Sequence, residues 1–161
     1  ANVYQKLDRP ADERRVLEQF TLASDDSVPA NLRLMELQIA AADWTALEQS
    51  AWRLFAIDPL LRQSHAALAV VAEKLDKPAL ASRALRRLLL LDPDDPADIH
   101  FRLAQTLYSQ GQLDAAKRQT LMALEEAPRF RDAHRLLLKI VRESSPGQAP
   151  ASVVDEGTVT N

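Results

Sequence analysis

Three histidines, His65, His100 and His134, stand 35 and 34 residues apart. Three imidazoles raise the question of zinc, whose ligands must converge to within ~2 Å of one centre. The interval argues against convergence. Residues recurring at the period of a stacked helical unit sit about one helix-pair translation apart, roughly 10 Å given helix packing distances of ~8–10 Å. They are read instead as one structural position repeated, lining a helix pair. The carboxylates fall in three runs: Asp25-Asp26, Asp92-Pro93-Asp94-Asp95 and Glu125-Glu126. Acid–base catalysis needs such groups paired in a cleft, but these sit between amphipathic segments, where Asp caps the next helix or faces solvent. Calcium at Asp92, Asp94, Asp95 and Asp98 is a weaker alternative, because Pro93 and Pro96 interrupt the loop and no terminal bidentate Glu follows. No Ser or Thr nucleophile motif, His-Glu-x-x-His or dinucleotide fingerprint occurs. The sequence reading is therefore non-catalytic, with no cofactor and no metal.

Composition narrows the classes further. The chain has 161 residues, enough for one domain or a stack of small repeats. It has no cysteine, which removes disulfides, thiolate metal sites and cysteine nucleophiles. Only 3 glycines argue against phosphate-cradling loops. The net charge of −3 gives no bulk attraction to nucleic acid. Arg83, Arg86, Arg87, Lys117 and Arg118 cluster in two segments, but few aromatics interleave with them, and they are read as a solvated face. The richest apolar run, Leu88 to Leu91, is far short of a membrane span. Ala1 to Arg9 lacks the long apolar run of a signal peptide.

The elements that must carry these residues are set by the prolines. Pro59, Pro93 and Pro128 are 34 and 35 residues apart, and each follows an amphipathic run: Trp44 to Ile57, Pro78 to Leu91, Leu113 to Ala127. Short breaks at Ala42-Asp43, Asp76-Lys77 and Gln110-Gly111-Gln112 separate each run from an earlier helix-period segment. Helix, short turn, helix and proline at a period near 34 resembles the tetratricopeptide repeat (TPR). With the closing proline as position 32, units span 28–61, 62–96 and 97–130. Position 7 is then Leu34, Leu68 and Leu103. Position 8, small in the family so that paired helices can approach, is Met35, Ala69 and Ala104. Position 20 is Leu47, Ala81 and Ala116, and position 27 is Leu54, Leu88 and Ala123. Met35 and Leu47 make the first unit the most divergent, with its helices expected to splay or repack. One extra residue at Asp94-Asp95-Pro96 lengthens the loop into the third unit.

Val3 to Pro10 parallels Val71 to Pro78 at twice the period, so residues 1–27 read as the second half of another repeat. The expectation is a C-terminal piece of a longer protein whose upstream part lies before Ala1. Residues 131–143 read as a capping helix that closes the 1–143 repeat domain, and residues 144–161 as linker and flexible tail. The expected fold is all-α, which for this family means a right-handed solenoid.

The resemblance also implies where binding occurs. First-helix positions 5, 9 and 12 of such units face a concave groove. Here they are Leu32, Glu36 and Ile39; Ala66, Val70 and Glu73; Phe101, Gln105 and Tyr108; and, in the terminal helix, Arg135, Lys139 and Arg142. Of these, Ile39 is the readiest to be assigned to the core instead, and Phe101 and Tyr108 the least. The groove would have a partly apolar floor ending in a basic wall, suited to a protein or peptide partner that pairs an apolar stretch with acidic residues. The family's carboxylate clamp wants Lys and Asn at positions 5 and 9 of its first unit; Leu32 and Glu36 do not supply it. The alternative function is a docking or regulatory appendage of an enzyme whose catalytic domain lies upstream. Self-association through the N-terminal end or the tail is a third expectation, the tail carrying Val153-Val154 followed by Asp155-Glu156.

The small residues give a first test. Ala104→Leu is expected to overpack the crossing of the third unit's helices, at a cost of about 1–3 kcal/mol. Contacts in a repeat stack are between nearest neighbours. Hydrogen exchange should therefore show lost protection in the third unit and capping helix before the first unit.

Overall fold

The computed structural model describes residues 9–23 and 26–144. The parallel drawn for Val3 to Asp8, and the readings of Asp25 and of the tail, lie outside them. Eight helices follow one another among the described residues: α1 (Pro10–Ala23), α2 (Val28–Ala40), α3 (Trp44–Ile57), α4 (Arg62–Lys74), α5 (Pro78–Leu89), α6 (Pro96–Ser109), α7 (Leu113–Glu126) and α8 (Arg131–Ser144). Each packs on the next, so α2–α3, α4–α5 and α6–α7 form antiparallel pairs flanked by α1 and α8. The fold is an all-α solenoid. No described helix is long and apolar enough to cross a membrane.

Local chemistry accounts for the boundaries. Prolines stand in the first turns of α2, α5 and α6, where their missing N–H would be unpaired in any case. Asp43 and Asp95 cap α3 and α6, accepting bonds from the Ala46 and Asp98 backbone amides at 3.1 and 3.0 Å. The turn within each pair is the same device three times. Ala42, Asp76 and Gly111, all at repeat position 15, adopt left-handed backbone with φ of 53°, 51° and 72°. The next residue's N–H reaches back to the preceding helix: Asp43 to the Gln38 carbonyl, Lys77 to Ala72 and Gln112 to Leu107. This is the Schellman closure, and glycine suits its left-handed position best.

The side chains at positions 7, 8, 20 and 27 are all buried, Leu34 through Ala123. Ala69, Ala104 and Ala116 have no exposed surface, as close helix approach requires. Met35 and Leu47 are buried too, so the first pair accommodates their bulk inside the core. Its helices share less contact than those of the other two pairs, and α6 and α7 share the most. One continuous core runs from Met35 to Ile140, while α1 is held by a separate small cluster of Leu17, Leu34 and Leu37.

Ion pairs at two joints follow a common register. Arg14 of α1 meets Asp43, in the turn between α2 and α3, at 2.6 Å. One period later Glu48 of α3 meets Lys77, in the turn between α4 and α5, at 2.7 Å. These are the same two repeat positions, 21 and 16, with the charges exchanged. At the next joint the equivalent residues are Ser82 and Gln112, and neither is charged.

The α1 joint carries the most electrostatic weight. Glu13 is 1% exposed, and the Arg33 guanidinium grips both of its oxygens at 2.9 Å. This bidentate bond holds the Glu13 carboxyl below the usual carboxylate range despite the opposing effect of burial. Arg14, with the Ala46 amide, does the same for Asp43. The bonds to Glu13 and then Glu36 raise Arg33 in turn.

The turns and the α1 joint each yield a prediction. Gly111 could carry a Cβ without meeting anything within 4 Å, so its replacement is a test of backbone conformation alone. Gly111→Ala should cost about 1–2 kcal/mol. Ala42→Gly should stabilise by roughly 0.5–1 kcal/mol, strain relief exceeding the entropy cost of glycine; denaturant melts decide both. The α1 joint should respond to acid. Carboxyls with lowered folded pKa values stabilise above their unfolded pKa, and that contribution disappears as pH falls through the folded values. The protection factors of the α1 amides, exchange rates relative to the unfolded chain at the same pH, should therefore fall as pH drops below the ordinary carboxylate range while α6 and α7 stay protected. Glu13→Gln should produce the same loosening at neutral pH.

Candidate functional site

The residues expected to face the groove come from α2, α4, α6 and α8, and the structure shows what each is doing. Leu32 and Ala66 are half-buried and pack against the main core. Val70 is half-buried. Glu36 is exposed and bonded to Arg33 at 2.8 Å. Ile39, assigned most readily to the core, is 45% exposed. The repeat position bears on this: the residues equivalent to Ile39 are Glu73, which is exposed, and Tyr108, which is half-buried. Tyr108, least expected in the core, packs partly against it. Phe101 stacks on Phe130, ring centres 4.7 Å apart, across the loop that leads into α8.

The middle of the strip is a cavity of about 300 Å³ between α4 and α6. Glu73 forms one wall. Arg102 opposite donates from Nε and Nη2 to the two Glu73 oxygens, both at 2.9 Å. Gln105, Thr106 and Ser109 of α6 line it further, with Ala72, Asp76 and, from α5, Pro78 and Ala81; Gln105 is exposed. A partly exposed fork–fork pair of this kind tolerates exchange: a ligand carboxylate can take one side of Arg102, or a ligand cation one side of Glu73.

The expected basic wall is less bare than the sequence implied. Arg135 is bonded to Asp132 at 2.8 Å. Lys139 places Nζ 4.7 Å from the centre of the Tyr108 ring. The Tyr108 hydroxyl donates to Glu143. Arg142 is exposed and its side chain has no partner among the described residues. The wall thus offers one free guanidinium beside an aromatic–ammonium–carboxylate cluster. Arg102 and Glu143 were missed because each meets its partner across a unit boundary, and Phe130 because it meets Phe101 from the far end of the same unit. A constant offset could have exposed the first: Glu73 to Arg102, like Arg14 to Asp43 and Glu48 to Lys77, spans 29 residues.

The histidines occupy repeat positions as expected, and two share one bond. His65 Nε2 donates to the Pro59 carbonyl and His134 Nε2 to the Pro128 carbonyl, both at 2.9 Å and both six residues back. The extra residue in the loop before α6 breaks this register. His100 instead bonds the Gln119 side chain through Nδ1 at 2.8 Å. No group of three or more candidate metal ligands gathers among the described residues.

No family model and no curated protein sequence matches the chain. Solved structures do. MamA superposes with a TM-score of 0.77 at 17% identity, covering 88% of this chain and 82% of its own. YrrB, described as a TPR protein with an unusual peptide-binding site, gives 0.77 at 16% identity over 89% and 74%. TTC0263, described as a thermophilic TPR protein in Thermus thermophilus, gives 0.58 at 20% over 87% and 77%. The architecture is that of a tetratricopeptide-repeat solenoid.

Proposed function

We propose that this chain is a protein-interaction module that holds a peptide segment along the strip formed by α2, α4, α6 and α8. The observation carrying this reading is the open cavity lined by the exchangeable Glu73–Arg102 pair with Gln105, Thr106 and Ser109. A ligand combining apolar side chains with a carboxylate suits it: the apolar part covers Val70 and Ile39, and the carboxylate shares Arg102 or meets Arg142. The peptide-binding description of YrrB, on the same fold, supports the general class. The reading is non-catalytic. In support, the described groups with shifted protonation equilibria, Glu13, Arg14, Arg33 and Asp43, are spent on ion pairs at the α1 joint.

The test is a titration of a labelled peptide with the sequence of residues 151–161, whose Val-Val-Asp-Glu run has this order of chemistry, into the chain. Binding should weaken with added salt. It should fall at least about tenfold in Ile39→Asp/Arg142→Glu, which puts a charge into the apolar contact and reverses the charge where the acidic end would lie. Equal affinity in that variant would remove the reading.

A further inference from the structure

A second cleft, of about 470 Å³, lies between α5 and the turn joining α6 to α7. Arg83, Arg86 and Arg87 line it, with Ser82, Gln110, Gln112 and Leu90. None of the three guanidinium groups meets a carboxylate or other partner among the described residues. Elsewhere α1, α2, α4 and α6 each contain an arginine paired with an Asp or Glu, while Arg118 and Arg142, like these three, have no partner among the described residues; the three of α5 are set apart by lining one cleft.

The joint register explains the opening. At the two preceding joints the contact between repeat positions 21 and 16 is an ion pair, Arg14–Asp43 and then Glu48–Lys77. Here those positions are Ser82 and Gln112. Ser82 Oγ turns back to the Pro78 carbonyl of its own helix at 3.0 Å, and Gln112 bonds Gln110 at 2.9 Å. Neither reaches across, so no internal carboxylate is supplied where three cations gather. Favourable placement near the carboxyl end of α5 accounts for Arg86 and Arg87 in its last turn. It does not account for Arg83 one turn earlier. Nor is it a rule of this fold, since α7 ends in Glu125-Glu126.

We infer that this cleft is a binding site for an acidic peptide segment of a partner protein, separate from the groove. Guanidinium forks match carboxylates in a bidentate way, and three within two adjacent turns of one helix, all lining the cleft, suit a run of Asp or Glu rather than one charge. Leu90, 76% exposed at the cleft, adds an apolar contact for a neighbouring side chain. The lining contains no aromatic ring on which bases could stack, which favours peptide over single-stranded nucleic acid.

The experiment is fluorescence anisotropy on the full chain with a labelled Leu-Glu-Asp-Glu-Asp-Leu peptide. Saturable, salt-sensitive binding is expected. It should weaken at least about tenfold in Arg83→Glu/Arg86→Glu. It should weaken also in Gln112→Asp, which supplies at this joint the carboxylate that Asp43 supplies at the first. Circular dichroism checks that each variant is folded, and Arg83→Gln/Arg86→Gln replaces the charge reversal if that variant is not. Ile39→Asp/Arg142→Glu should leave this binding within about twofold. Loss of binding in that groove variant would put the peptide in the groove and overturn the second site, while leaving the groove reading intact. Unchanged affinity in the arginine variants, an equal loss in Lys117→Glu/Arg118→Glu, or no saturable binding would each overturn it. So would tighter binding of single-stranded RNA or anionic vesicles through the same arginines.

Discussion

The structure depends on how closely two helices of one pair can approach. A helix pair buries only one seam by itself and leaves two flanks for its neighbours, so its geometry propagates to the next pair. Alanine at positions 8 and 20 of the second and third units, Ala69 and Ala81 and then Ala104 and Ala116, accompanies more extensive pairing than in the first unit. Met35 and Leu47 in the first unit fill the same space with larger side chains and leave that pair in lesser contact. The left-handed residue at position 15 serves the same requirement from the backbone, since the chain must reverse within two residues for both helices to share a seam. Gly111 meets this without strain, whereas Ala42 and Asp76 carry a Cβ into left-handed backbone.

With the apolar seam common to all pairs, the joints between units are distinguished by charge. Among the described residues the α1 joint has a small apolar cluster of its own, Leu17 with Leu34, Leu37 and Ala30, and adds the buried Glu13–Arg33 pair, Arg14–Asp43 and an Arg53 bond to the Thr21 hydroxyl. A buried ion pair brings geometric definition more readily than net stability, because both partners lose water. The second joint keeps one ion pair over a continuous core. The third also has a continuous core and no ion pair at the equivalent positions, its charged contact being Glu73–Arg102 instead. The cations of α5 are left facing outward.

Much of this was legible in the sequence and some was not, for a physical reason. Proline spacing, small residues at positions 8 and 20 and the turn residues are properties of single units, and they specify helices and their pairing directly. Ile39 shows how the repeat outranks composition: an isoleucine read alone suggests the core, but its equivalents are an exposed Glu73 and a half-buried Tyr108. Contacts across units could not be read one residue at a time. Arg102 finds Glu73, and Glu143 finds Tyr108, only because stacking brings different units together. His100 shows the same limit, since one inserted residue moved its bond from a loop carbonyl to Gln119.

These two levels also divide the molecule's chemistry. What every unit shares (buried leucines, alanines and turn closures) builds the scaffold and carries little information about a partner. What differs between units is where recognition can be written. At positions 5, 9 and 12 the side chains pass from Leu32 and Ile39 through Val70 and Glu73 to Phe101 and Tyr108, so no two units present the same surface to an extended ligand. The same reasoning applies to the joints. A serine and a glutamine stand where earlier joints place opposite charges, and that local departure turns a closed contact into an open cleft. In a stack whose units are related by translation, binding specificity arises at the positions where the repeat is broken.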